Sequence, residues 1–423
     1  MSGSTTRART SGTTPVHFLT YNIDARDGVC RAVVTLANAL AERHPVEIIS
    51  LYRRDEGPAY AVSDRVRVRY LFDHPAVPRA AADQVRRPAP RYRRRISRHA
   101  VRNRLARRPS QLSVGYGFPN LSALTDRVLA EALYAVRDGV VISTRPALHV
   151  AAARLTRPGV VTIGQDHLNF ESRSKEIGSM ALIELACRNG LDAFVTLTSA
   201  DTEDYSRTLP ARTRVTSIPN ALSWPISEPR ERTGAHDSRT IIAAGRLVPR
   251  KGMGRLIRAF APVARKHPDW RLRIYGHGRL EAKLAGIVAE LGVGDQVTLE
   301  GYTSELPAAF AGASVYACAS AAEGFPMVML EALSTGLPIV SFDCPRGPRD
   351  IIRDGVNGRL VANGDIPALS AALEQVVADD ALRASMSAQA LRDAELYLPE
   401  RIADRWEHLI AELLAPAALP LAG

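Results

Sequence analysis

The sequence predicts an α/β protein of two doubly wound, Rossmann-like domains facing each other across a cleft. Three observations carry that prediction. The chain has 423 residues, too many for one ordinary core and suited to two domains of roughly 200 residues each. Apolar runs bounded by glycine alternate with helical patterns through both halves, the signature of parallel α/β units. A polar stretch containing Pro225 and Pro229, Asn220–Ser238, separates the halves and reads as a linker.

Residues 1–14 are rich in Ser, Thr and Arg and are expected to be a disordered tail. An acid-free start of this kind also fits an organellar transit peptide, but it has no apolar face. The first domain is expected over 15–219, with strands at His17–Tyr21, Val46–Leu51, Val66–Leu71, Gly139–Thr144, Val160–Gly164 and Ala193–Thr198, and a helix at Val29–Ala41. Residues 74–122 fit neither the helical nor the strand period and read as an insertion. The second domain, 239–400, has a cleaner rhythm. Its strands are expected at Thr240–Ala244, Trp270–Tyr275, Val297–Glu300, Val315–Ala319, Pro338–Phe342 and Gly358–Val361. Its helices are expected at Met253–Lys266, Arg279–Leu291, Leu306–Ala311, Pro326–Ser334 and Ile366–Val377. Residues 401–423 are expected to form a last helix that packs back on the first domain.

Composition narrows the function classes. Hydrophobic residues make up 46% and charged residues 23%, as in soluble globular proteins. No stretch reaches the roughly 18 consecutive apolar residues of a membrane span, and the start has no secretory apolar core, so a cytoplasmic protein is expected. Cys30, Cys187, Cys318 and Cys344 are scattered without a C-x-x-C pair, which argues against a zinc knuckle or a disulfide framework. Cys187 and Cys318 lie in apolar surroundings and read as core residues.

Of the 55 lysines and arginines, 11 arginines lie between Arg86 and Arg108 without an acidic residue, leaving 44 basic against 44 acidic elsewhere. The formal net charge of +11 is therefore one local patch. Such a patch suits an anionic membrane surface or a polyanionic acceptor; the plainer reading is a solvated loop. Tyr92 is its one aromatic, so the stacking platforms of single-strand nucleic-acid binding are missing and no nucleic-acid partner is expected.

The chemistry concentrates in Glu323-Gly-Phe-Pro-Met-Val-Met-Leu-Glu331, two carboxylates eight positions apart around a helix start. Pro326 suits the first helical turn, where its missing N–H costs nothing. Eight helical residues advance about 12 Å, comparable to the distance from the sugar to the ribose of a nucleotide-sugar. The free N–H groups of Gly324, Phe325 and Met327 between the carboxylates suit a diphosphate.

With its neighbours, this segment resembles the family-4 group of retaining glycosyltransferases, whose hallmark is the same E-x7-E element. Ala244-Gly245-Arg246-Leu247, followed by Arg250-Lys251-Gly252, is similar to the family's diphosphate clamp, with Arg246 and Lys251 at the cationic positions. Fixed cations there would stabilise the charge that accumulates on a leaving nucleoside diphosphate. Tyr275-Gly276-His277-Gly278 resembles the glycine turn near the nucleotide, Gly301 the approach to the base, and Gly336-Leu337-Pro338 the close of the E-x7-E helix. Asp343-Cys344-Pro345-Arg346-Gly347-Pro348-Arg349 resembles the form found in members that use UDP-sugars. In the first half, Asp27-Gly28-Val29-Cys30-Arg31 occupies the place of a glycine-glycine turn, with Asp27 where the first glycine belongs. A carboxylate near a diphosphate must turn away, meet an acceptor, or mark a shifted loop. His167, after a buried strand, matches an active-site histidine that faces the donor sugar. Asp166 and Asn169 are weaker candidates for acceptor contacts, and Thr144-Arg145-Pro146 and Glu171 weaker still.

The resemblance implies the GT-B fold and transfer of a sugar, with retention, from a nucleotide-sugar to a hydroxyl of a cell-envelope, lipid-linked or polyanionic acceptor. Glu323, His167, Arg246 and Lys251 would form the catalytic set. Gly28, Gly245, Gly276, Gly324, Phe325, Pro326, Met327 and Glu331 would bind the donor, and Asp27, Asp166 and Asn169 the acceptor. No cofactor and no metal are expected, since two cations and a helix dipole would do a divalent ion's work. Rival readings are a nucleotide-sugar epimerase of the same fold, glycosylation of a soluble small molecule, and a non-catalytic binding protein; nucleotide release in the presence of acceptor separates them.

Overall fold

The computed structural model describes residues 13–73, 98–113, 121–227 and 238–415. Most of the expected tail, most of the segment 74–122 including Arg86–Arg95, and the tip of the linker lie outside these residues.

Seven parallel strands form the first sheet: β1 (Val16–Asn22), β2 (Val46–Arg53), β3 (Val66–Asp73), β4 (Val140–Ser143), β5 (Val161–Gln165), β6 (Ala193–Thr196) and β7 (Arg214–Ser217), in the order β3-β2-β1-β4-β5-β6-β7. Six parallel strands form the second: β8 (Thr240–Ala244), β9 (Arg271–Tyr275), β10 (Val297–Gly301), β11 (Val315–Cys318), β12 (Ile339–Asp343) and β13 (Gly358–Ala362), in the order β10-β9-β8-β11-β12-β13. Helices cover both faces of each sheet, so central strands are apolar throughout rather than alternating. Val140, Val141 and Ile142 are fully buried. The sequence patterns did not anticipate β7; its residues Arg-Val-Thr-Ser hold one aliphatic side chain, which suffices because it is a partly exposed edge.

Each sheet reverses its strand order beside its first strand, between β1 and β4 and between β8 and β11. In open α/β sheets the carboxyl ends of the strands at such a switch point form a crevice. Both crevices face the same cleft.

Two segments connect the halves. Leu222 N–H donates to the Tyr397 carbonyl at 2.7 Å, so the outgoing chain and the returning chain run side by side. The returning chain ends in a helix, Pro399–Leu414, whose Ile402, Trp406, Leu409 and Ile410 join the core of the first half beside the helix Gly28–Leu40. Within the arginine-rich segment the structure contains a helix, Arg98–Ala106. Its only large apolar residues are Val101 and Leu105, too few to set up a periodic stripe. No helix among the described residues is long and apolar enough to cross a membrane.

Candidate active site

The cleft encloses a cavity of about 480 Å³ between the two switch points. A larger cavity of about 820 Å³ lies behind the helix Gly28–Leu40. Arg43 there is held by Asp404 at 2.7 Å and Asn38 by the Ala61 carbonyl at 3.0 Å, whereas the smaller one gathers the residues of the two switch-point loops.

On the second-half wall, β8 ends at Ala244 and the chain turns through Gly245 and Arg246 into a short 3₁₀ turn, Pro249–Lys251. Gly276 backs this turn. It does not line the cavity as expected of it, and a Cβ on it would lie 2.0 Å from the Gly245 carbonyl oxygen. The turn aims Lys251 at the loop after β11, where Lys251 Nζ meets Glu323 Oε1 at 2.6 Å. Glu323 is only 6% exposed, and its backbone is held at both ends: its N–H donates to the Pro345 carbonyl at 2.9 Å and its carbonyl accepts from Arg346 N–H at 2.8 Å. Arg246 is exposed in the cavity wall and makes no ion pair among the described residues.

The E-x7-E helix starts at Met327, one residue later than expected. Pro326 is the capping residue, with φ −73° and ψ 100°, and no side chain caps the helix. Gly324 and Phe325 therefore lie in the loop. Gly324 passes so close to the first half that a Cβ would lie 2.6 Å from the His167 carbonyl oxygen.

Glu331, one turn into the helix, is 1% exposed. Its Oε1 accepts from Ser223 Oγ at 3.0 Å and from Arg31, which reaches across from the helix Gly28–Leu40. Burial pushes the Glu331 carboxyl above its ordinary value, against the opposing pull of Arg31. Sequence reasoning assigned neither Arg31 nor Ser223 a role. One signal for Arg31 was present: a cation in the first turn opposes the helix dipole, so an arginine there calls for a carboxylate from elsewhere. Ser223, in the linker, carries no such signal.

On the first-half wall, the question posed by Asp27 has a local answer. It is the N-cap of the helix Gly28–Leu40, its carboxylate accepting from Cys30 N–H at 2.9 Å. One carboxylate oxygen is thus turned onto the helix's own donor, while the side chain stays exposed at the cavity. Gly28, next in line, faces open space.

Asp166 and Asn169 also do not face the cavity. Asp166, 1% exposed, accepts from Arg173 Nε at 3.0 Å, Tyr205 Oη at 2.7 Å and Leu168 N–H at 3.2 Å, which fills its oxygens. Asn169 Nδ2 donates across the cleft to the carbonyls of Glu323 and Pro345, tying the His167 loop to the Glu323 loop. A second tie joins Arg346 to Asp204 at 2.5 Å.

Between these anchors, His167 lines the cavity with both ring nitrogens buried and without a protein partner among the described residues. Burial pushes its pKa down to about 4, opposed by Asp166, so the ring is neutral near pH 7. All four cysteines are buried and free.

The cleft thus gathers Asp27, Gly28, His167, Gly245, Arg246, Lys251, Glu331 and the segment Glu323–Met327 around one space, and leaves Gly276, Asp166 and Asn169 outside it. Two doubly wound sheets whose switch points open on one cleft are the architecture of the GT-B fold. Residues 226–393 match the family described as Glycosyl transferases group 1.

An exopolysaccharide phosphotransferase of Streptomyces coelicolor is 33% identical over 394 residues, 93% of this chain and 40% of that protein. A poly(glycerol-phosphate) alpha-glucosyltransferase of Bacillus subtilis is 25% identical over 59% of this chain and 36% of its own length. The chain therefore spans well under two thirds of these relatives. Among solved structures, the pneumococcal O-GlcNAc transferase GtfA with UDP and GlcNAc superposes with a TM-score of 0.70 at 16% identity, covering 96% of this chain and 100% of that one. TarM superposes with a TM-score of 0.72 at 16% identity, covering 94% and 98%. These likenesses carry the fold.

Proposed function

We propose that the chain is a retaining glycosyltransferase of family 4 that moves a sugar from a UDP-sugar to a hydroxyl of a cell-envelope, lipid-linked or polyanionic acceptor, forming an α-linkage. The observation that carries this reading is the joining, in one cavity, of the Lys251–Glu323 pair at 2.6 Å, the unpaired Arg246, the exposed Gly28 at a helix start and the buried Glu331. The diphosphate would lie against Arg246, Lys251 and the helix N-termini at Gly28 and Met327, the ribose by Glu331 and the sugar between Glu323 and His167. The ammonium of Lys251 has three donors and can hold Glu323 and a phosphate oxygen together.

The bond from the anomeric carbon to the phosphate oxygen breaks as the acceptor oxygen bonds to that carbon from the same face. The acceptor proton passes to the departing phosphate. Glu323 stabilises positive charge at the anomeric carbon, and the neutral imidazole of His167 hydrogen-bonds the sugar. Arg246 and Lys251 do the work of a metal ion. The likeness to a poly(glycerol-phosphate) alpha-glucosyltransferase supports an envelope acceptor. In the same reading the arginines from 86 to 108 draw a cytoplasmic enzyme to an anionic membrane face, which salt-sensitive sedimentation with anionic vesicles checks.

The test is thermal protection and nucleotide release with UDP-, GDP- and ADP-sugars, with and without chelator. Protection by UDP-sugars, and turnover indifferent to chelator, is the expected outcome. Activity abolished by chelator and restored by magnesium overturns the metal-free mechanism. An epimerised nucleotide-sugar with no product on acceptor overturns transfer.

A further inference from the structure

The cavity contains more positive charge than the proposed donor needs, and the surplus sits on the other wall. Of the cations lining it, Lys251 is matched by Glu323, Arg31 by Glu331 and Arg173 by Asp166, while Arg26 lies over the Tyr302 ring and donates to its hydroxyl at 2.9 Å. Arg246 and Arg250 stand beside Lys251, where the diphosphate is proposed. Arg145 stands apart from them at the carboxyl end of β4. It is exposed, lines the cavity, and makes no ion pair among the described residues.

Its surroundings also favour an anion. Arg145 is the N-cap of the ten-residue helix Pro146–Leu155, which no side chain caps, so the positive end of that helix adds to the guanidinium charge. The one carboxylate of this wall that lines the cavity, Asp27, is turned onto Cys30 N–H. Arg145 is close enough to His167 for its charge to help depress that ring's pKa. His167 in turn presents two buried nitrogens without a protein partner to the same space.

We infer that Arg145 holds an anionic group of the acceptor, a phosphate ester adjoining the hydroxyl that receives the sugar, a step that rests on the glycosyl-transfer reading above. The guanidinium fork matches two phosphate oxygens at once. The hydroxyl of a neighbouring carbon then lies toward His167 and Glu323. Arg145 thereby selects phosphorylated polyols over neutral ones.

Calorimetric titration of sn-glycerol 3-phosphate and of glycerol into the full chain saturated with UDP tests this, because UDP occupies Arg246 and Lys251. The wild-type chain is expected to bind the ester and not glycerol. Arg145→Ala should weaken the ester at least about tenfold, the range for a lost hydrogen bond to a charged group, and Arg145→Lys should recover part of the loss. Being exposed, Arg145 can be replaced without unfolding the chain, which a melting curve verifies.

A parallel arm uses phosphatidylglycerol vesicles. Loss of sedimentation on Arg145→Ala assigns the phosphate to a lipid headgroup, whereas loss in the soluble arm alone assigns it to a polyol phosphate. A wild-type chain that binds neither form, or an Ala variant equal to it in both arms, overturns the inference. Failure of UDP itself to bind refutes the donor reading first.

Discussion

The two walls of the cleft handle their charges in opposite ways. On the second-half wall the charges stand toward the cavity: Arg246 is exposed and Lys251 meets Glu323 at the cavity's edge. On the first-half wall the acidic and amide side chains are committed to protein partners. Asp27 caps its own helix, Asp166 is closed in by Arg173 and Tyr205, and Asn169 is used in binding the two loops together. The second-half wall gathers its cations beside a carboxylate, whereas the first-half wall commits its acidic groups to protein partners and leaves Arg145 facing the cavity. Charge type in a sequence therefore does not say which role a residue has; its partners do.

The largest expected effect sets one residue from each wall side by side. Arg246→Ala should lower turnover by roughly 10²- to 10³-fold, the scale for removing one fixed stabiliser of developing charge, with a melting temperature close to wild type because the side chain is exposed. Asp166→Asn should do the reverse in stability. It leaves Arg173, 5% exposed at its side chain, with only the half-exposed Glu176 as counter-charge, and breaking a buried pair from one side costs up to about 3–5 kcal/mol. Melting curves run beside nucleotide release read both. A stable Asp166→Asn protein that had lost turnover would erase the distinction between the walls.

The same contrast explains what was legible in the sequence. Twelve of the strand positions followed from apolar runs between glycines, and β7 was missed because an edge needs little apolar character. Lys251, Arg246 and the two glutamates were legible because they sit on short segments at strand ends, where sequence spacing translates directly into space. Asp166 and Asn169 were misjudged because their neighbours, Tyr205 at 39 positions away and Glu323 at 154, are tertiary. Arg31 lies 300 positions from Glu331, and only its conflict with the helix dipole hinted at a distant carboxylate. Gly276 has the right motif and the wrong direction: its turn supports Gly245 from behind.

A smaller effect is expected from the pair that crosses between the walls. Arg31→Ala removes the cation facing Glu331, but Glu331 keeps Ser223 and can take up a proton, and the Arg31 side chain is 26% exposed. The loss should accordingly be about 1–3 kcal/mol, less than for a fully buried pair. Glu331→Ala should weaken donor binding with only a modest fall in turnover, since a ribose contact acts in both ground and transition states. A double-mutant cycle on donor affinity measures the coupling. If the two substitutions add without interaction, the contact seen across the cleft contributes nothing to holding the donor.

The smallest effect on turnover is expected from pH, and it separates the walls once more. His149, fully buried under the first-half wall, has its pKa pushed by burial from 6.5 to about 3, and His167 from 6.5 to about 4. In the unfolded chain both rings take up protons as pH falls below about 6.5, while in the folded chain they stay neutral until about 4. At these two rings the unfolded state therefore binds more protons in that window, and their contribution to stability falls as pH drops from about 6.5 toward 4. Glu331, Asp201 and Asp350, whose pKa values burial raises, Asp350 to about 6, work in the opposite sense by protonating first in the folded state, so the histidine contribution is read as the difference between wild type and a histidine variant. Turnover per folded molecule should stay level from pH 8 to 6 as far as His167 is concerned, because its ring does not titrate there. Melting temperatures at pH 7, 6 and 5 read the first part. His149→Asn, which keeps a polar partner for Ser143 and removes a titrating ring, should flatten the slope by up to about 1.4 kcal/mol per pH unit. An unchanged slope would mean that His149 already carries its proton in the fold, and that the first-half wall is more polar within than its packing indicates.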